Sequence, residues 1–91
     1  METGAVWIKV DEAKLAEKLQ EVCTGLSDAG GEMVLDLSAV RRIDTDGLRK
    51  MELLARTASE KNQKVALRGV DVSVYKVLKL ANLTGRFSFQ N

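Results

Sequence analysis

The feature that most narrows what this chain can fold into is an alternation of two hydrophobic periods. Short apolar runs at residues 6–10, 33–37 and 64–68 take turns with longer stretches in which apolar residues recur every three or four positions. Runs of about five residues, rich in Val, Ile, Leu or Trp and bounded by Gly, Asp or Ser, predict strands. Between them, Leu15, Leu19, Val22, Cys23 and Leu26 share one helical face, with Lys14, Glu17, Lys18 and Glu21 opposite. Leu48, Met51, Leu54, Ala55 and Ala58 repeat that spacing up to Lys61 and Asn62, and Val74, Val77, Leu78 and Ala81 mark a third helix. Asp11 reads as the cap of the first helix, and Gly30-Gly31 as the end of that helix or of the loop after it. Asp71 or Ser73 caps the third, and Gly85 stops it. Phe87-Ser88-Phe89 alternates, and reads either as a final edge strand or as a tail that packs its rings. Strand and helix alternating over short connections predict the α/β class, with mostly parallel strands covered by helices.

At 91 residues the chain predicts one domain, 1–91. Its net charge of +1 provides no long-range field toward nucleic acid or an anionic membrane. No apolar run approaches the roughly 20 residues of a membrane span, and the first residues carry charges where a signal peptide needs its apolar segment. A cytoplasmic protein without membrane insertion is expected. The single cysteine, Cys23, allows neither an internal disulfide nor a thiolate metal site by itself, and its place in the apolar stripe predicts a core residue. Histidine is absent, which removes the commonest general base and metal ligand. No glycine-rich phosphate cradle is present either, so neither an enzyme nor a cofactor is expected. Trp7 and Tyr75, as lone aromatics, are expected to pack.

One segment carries more specific information. The stretch from Val34 to Leu48 reads Val-Leu-Asp-Leu-Ser-Ala-Val-Arg-Arg-Ile-Asp-Thr-Asp-Gly-Leu. It resembles the signature of the STAS family, the domain of sulfate transporters and anti-sigma factor antagonists. Residues 74–83 resemble that family's last helix, so the similarity covers nearly the whole chain. The resemblance implies a STAS-like sheet of about four strands, mixed and mostly parallel, covered by three or four helices. Family members usually begin with a β-hairpin, whereas only one strand fits before the first helix here. The exposed edge this leaves could pair with a second copy, so a homodimer is one expectation.

The resemblance also implies a non-enzymatic regulatory module that docks a kinase or anti-sigma partner. Its surface would comprise Asp44, Thr45, Asp46, Gly47, Leu48, Arg49 and Lys50, with Asp36 and Ser38 supporting the loop. The family's phosphorylated serine is matched by Asp46, so Asp-Thr-Asp-Gly stands where Asp-Ser-Ser-Gly is usual. A serine kinase cannot modify Asp46, which resembles a fixed phosphoserine mimic with one negative charge. An acid in the first turn of a helix is also ordinary, contributing about 0.3–1 kcal/mol through the helix dipole. Thr45 reads as a partner contact, an alternative phosphosite, or a helix cap worth about 1 kcal/mol. Gly47 reads equally as a site of close backbone approach or as a plain helix-start glycine. Asp36 and Asp44 lack a third ligand and a paired nucleophile, so they read as structural. Arg41 and Arg42 either screen the nearby acids, contact a partner, or are simply solvated. The alternative within the same family is the small cytoplasmic STAS subunit of an ABC-type phospholipid-transport complex, binding its ATPase, or a chemotaxis-associated member.

Overall fold

In the computed structural model, residues 6–26 and 32–90 are described. Four strands, β1 (Val6–Lys9), β2 (Glu32–Asp36), β3 (Lys64–Arg68) and β4 (Ser88–Gln90), alternate with three helices, α1 (Leu15–Gly25), α2 (Thr45–Glu60) and α3 (Val72–Leu80). The strands form one sheet in the order β1-β2-β3-β4, and every pairing is parallel. The α/β expectation and the strand count hold, and the sheet is parallel throughout its described strands. Residues 87–89 resolve into a buried Phe87 leading into the edge strand β4. Helix α1 ends at Gly25, ahead of Gly30-Gly31, and those two glycines lie outside the described residues, as do residues 1–5.

Register explains the sheet's composition. Met33 and Leu35 of β2, with Val65 and Leu67 of β3, point into the core that the helices cover. There they meet Leu15, Leu19, Val22 and Cys23 of α1, Met51, Leu54, Ala55 and Ala58 of α2, and Val74 and Leu78 of α3. Each fully buried Leu contributes roughly 1.5–3 kcal/mol. The alternating residues Val34 and Ala66 are buried as well, which is why β2 and β3 read as continuous apolar runs and not as alternating ones.

Trp7 lies in register with Val34 and Ala66 and is 56% exposed, contrary to the expectation that it packs. An edge strand has no second neighbour to bury its ring, and the Arg68 guanidinium sits over that ring at 5.1 Å. Tyr75 is likewise exposed, and its ring meets Phe89 edge-on at 5.4 Å.

Helix ends follow local chemistry, with two departures from expectation, at the start of α1 and the end of α3. Asp11 precedes a short 3-10 turn, Glu12–Lys14, and its side chain makes no capping bond; α1 proper begins at Leu15. Of the two expected caps for α3, Asp71 takes the role, accepting the Ser73 N–H at 2.9 Å. Helix α3 ends at Leu80 and does not run on to Gly85. Asn82 there adopts φ 61°, while the Leu83 N–H donates to the Leu78 carbonyl and the Asn82 N–H to that of Lys79. Asn62 closes α2 in the same way at φ 54°. Asparagine thus fills the left-handed position that glycine usually takes after a helix.

Candidate functional site

The site is built around the connection from β2 to α2, residues 37–44, and each end of that connection is anchored by an aspartate. At the strand end, Asp36 Oδ1 accepts the Ser38 N–H at 2.9 Å. Bonds from the Ser38 hydroxyl and backbone hold the Asp36 carboxyl below the usual range, with Lys9 and Arg68 adding smaller favourable charge. At the helix end, Asp44 is the N-cap: its Oδ1 accepts the Gly47 N–H at 2.8 Å and its carbonyl accepts the Leu48 N–H at 2.8 Å. The helix cap is therefore Asp44 and not Thr45, which is the first helical residue.

A residue not singled out in the sequence ties down the middle of the loop. Glu12 Oε1 accepts the backbone N–H groups of both Arg41, at 2.7 Å, and Arg42, at 3.1 Å. Nothing local in the sequence signals a bond spanning about thirty positions, because it depends on the 3-10 turn lying beside the loop. Among the described residues, no ion pair joins Arg41 or Arg42 to Asp44 or Asp46. The loop also rests on the connection after β3. The Leu37 N–H donates to the Arg68 carbonyl at 2.8 Å, and a Cβ on Gly69 would come within 2.9 Å of Ser38 Cβ. Gly69 has φ +69°, a conformation that L side chains rarely adopt.

These anchors sort the seven residues of the expected surface. Thr45, Asp46 and Arg49 are exposed on the first turns of α2, and Asp44 is exposed while its carboxylate is occupied by the cap. Among the described residues no hydrogen bond engages the Thr45 hydroxyl. Gly47 is buried, and a Cβ there would lie 2.7 Å from Leu15 Cδ2 and 3.0 Å from Ile43 Cγ1. Its lack of a side chain serves the approach of α2 to α1. Leu48 is half-buried against the core, and Lys50 Nζ donates to Gln20 Oε1 of α1 at 2.8 Å. Thr45, Asp46 and Arg49 are thus presented outward, while Gly47, Leu48 and Lys50 face the molecule.

A cleft of about 620 Å³ runs beside this helix start, walled by Glu12, Ala16, Arg42, Ile43, Asp44 and Asp46. Among the described residues no group of three or more His, Cys, Asp or Glu could hold a metal ion. No described helix is long and apolar enough to cross a membrane. Cys23 lies buried in α1, as expected, and burial raises its thiol pKa, offset in part by Lys50.

Comparison with known proteins places this geometry among relatives. The family described as Mlab, STAS domain matches residues 9–89. The intermembrane phospholipid transport system binding protein MlaB of Escherichia coli K12 is 42% identical over 53 residues, covering 58% of this chain and 55% of that protein. Its counterpart in Shigella flexneri matches equally. The chain spans about half the length of these curated relatives. A sulfate transporter family protein from Wolinella succinogenes superimposes with a TM-score of 0.78 at 17% identity, over 98% of this chain and 79% of that one. A candidate anti-sigma factor antagonist from Thermotoga maritima does so at 0.69 and 19% identity, over 100% and 76%. At such identities these two likenesses concern the fold.

Proposed function

The chain belongs to the STAS domain family, in its Mlab group, and from that premise we propose that it is a non-enzymatic docking subunit of a phospholipid-transport system. It binds the system's ATPase through Thr45, Asp46 and Arg49 at the start of α2. The observation that carries this reading is the contrast inside one helix turn: the Asp44 carboxylate is committed to the cap, while the neighbouring Thr45 hydroxyl and Asp46 carboxylate are exposed and unengaged among the described residues. A rigid helix start presenting free polar groups loses little conformational entropy when a partner meets it. The choice of partner follows the relatives, because the 42% identity is to phospholipid-transport binding proteins, whereas the anti-sigma likeness lies in the fold.

Calorimetry with the purified transporter ATPase tests this. Thr45→Ala combined with Asp46→Lys is expected to weaken binding at least tenfold, about 1.4 kcal/mol, with the fold intact. Unchanged affinity would overturn the reading.

A second reading, partner switching in the manner of an anti-sigma factor antagonist, draws support from the same free hydroxyl. A phosphate on Thr45 would sit at the positive end of α2 and add about −1.5 to −2 charges beside Asp46. Phosphate transfer to Thr45 by a kinase-type anti-sigma factor, read by mass spectrometry, separates the two readings. An unmodified Thr45 in protein from its native cell counts against the switch.

A further inference from the structure

The charge of this nearly neutral chain is unevenly distributed. All thirteen acids lie at or before Asp71, and the last twenty residues carry Lys76, Lys79 and Arg86 without one Asp or Glu. The same region exposes the largest apolar groups outside β1: Val72 at 69%, Leu80 at 87%, and the edge-on pair Tyr75 and Phe89. On α3 the exposed residues Val72, Tyr75, Lys76, Lys79 and Leu80 form one face, opposite the buried Val74 and Leu78. Among the described residues no ion pair engages Lys76 or Lys79, and the acid nearest in sequence, Asp71, is occupied in capping the helix. Where α3 begins, a cleft of about 320 Å³ is lined by Gly69, Val70, Val72, Tyr75, Phe89 and Gln90.

Gly69, which lines this cleft, lies against Ser38 at the strand end of the β2–α2 connection. The features of this surface select among occupants. A second copy docked face to face would oppose lysine with lysine. Val72, Tyr75 and Phe89 line a concavity, which an inserted side chain fills and the broad surface of a bilayer does not. An acidic protein segment satisfies both the charge and the shape.

We infer that the start of α3 and strand β4 form a second docking surface, for an acidic partner segment that seats an apolar side chain between Tyr75 and Phe89. The inference rests on the reading of the chain as a partner-docking module and extends it to a region outside the family signature.

The test is a titration of isotope-labelled protein with a synthetic peptide in which Leu and Phe are flanked by Glu, followed by amide chemical shifts. Shifts are expected to concentrate at Val72, Tyr75, Lys76 and Phe89. Lys76→Glu with Lys79→Glu should weaken binding about tenfold or more. Tyr75→Ala should weaken it as well, with Tyr75→Phe retaining it. Equal binding of a Lys-flanked peptide, or shifts located elsewhere, overturns the inference. So does lysine-dependent binding to phosphatidylglycerol vesicles without peptide binding, or a dimer that Tyr75→Ala dissolves. The ATPase measurement keeps the two readings apart. If Thr45→Ala with Asp46→Lys abolishes ATPase binding while the α3 variants leave it unchanged, the second surface fails and the docking function stands. If the peptide result holds while the ATPase does not bind, the surface stands and the choice of ATPase fails.

Discussion

Helices α2 and α3 begin by the same device and then diverge. Asp44 and Asp71 each occupy the N-cap and accept a backbone N–H of the first turn, from Gly47 at 2.8 Å and Ser73 at 2.9 Å. Both starts follow a strand, and the two connections touch where Gly69 meets Ser38. After the caps, α2 presents Thr45, Asp46 and Arg49, whereas α3 presents Val72, Tyr75 and Lys76. The difference shows a division of labour: once a cap satisfies the free N–H groups, exposed residues of the first turns have no folding duty and can differ freely. One start offers polar groups and the other an apolar, basic surface.

The contact between the two connections is the place to break the pair. Gly69→Val forces a β-branched residue to φ +69° and pushes its Cβ into Ser38. It should cost about 2–3 kcal/mol in a urea titration, from left-handed strain plus overpacking. A loss below half a kilocalorie would mean the two starts are held together by something else. Next in size are the caps. Asp44→Ala and Asp71→Ala should each cost about 1 kcal/mol, with Asn in either position restoring most of it. Clearly unequal costs would show that the starts are not equivalent in folding.

Thr45→Ala sharpens the contrast between cap and surface. Its stability should change by less than about 0.5 kcal/mol, since no internal bond is lost, while affinity for the ATPase falls. A stability loss as large as that of Asp44→Ala would return Thr45 to a structural role. The smallest effect concerns pH. The folded Asp36 carboxyl titrates below its unfolded value of about 3.9, so its contribution is present above that value and is lost as pH falls through the folded one. Acid unfolding of Asp36→Asn should be less steep in that window, and an unchanged profile would show that the Ser38 turn contributes nothing there.

Much of the fold was legible because its signals are local. Short apolar runs marked the strands at 33–37 and 64–68, a period of 3.6 marked the apolar stripe of each helix, and Cys23 fell in the core where its stripe placed it. Asp36 and Asp44 read as loop and turn anchors, and each accepts a backbone N–H two or three positions on. Errors arose where competing local signals coexisted. Asp44 and Thr45 are both good caps, and the backbone geometry gave the role to the aspartate. Gly85 looked like a helix stop, but Asn82 reached the left-handed conformation first. Trp7 and Tyr75 were expected to pack as lone aromatics, yet Trp7 lies on the edge strand β1 and Tyr75 on the exposed face of α3 beside the edge strand β4.

The sequence by itself determined the α/β class, the STAS signature and the residues at the start of α2, because spacing and capping act over a few positions. Only the tertiary structure decided which of those residues face outward. It turned Gly47 toward Leu15 and Lys50 toward Gln20, and left Thr45, Asp46 and Arg49 to solvent. It also brought Glu12 beneath the loop and gathered Val72, Tyr75 and Phe89 around one cleft. Those are contacts between residues far apart in the chain, set by the parallel register of the sheet and the packing of α1 on α2, and no local pattern encodes them.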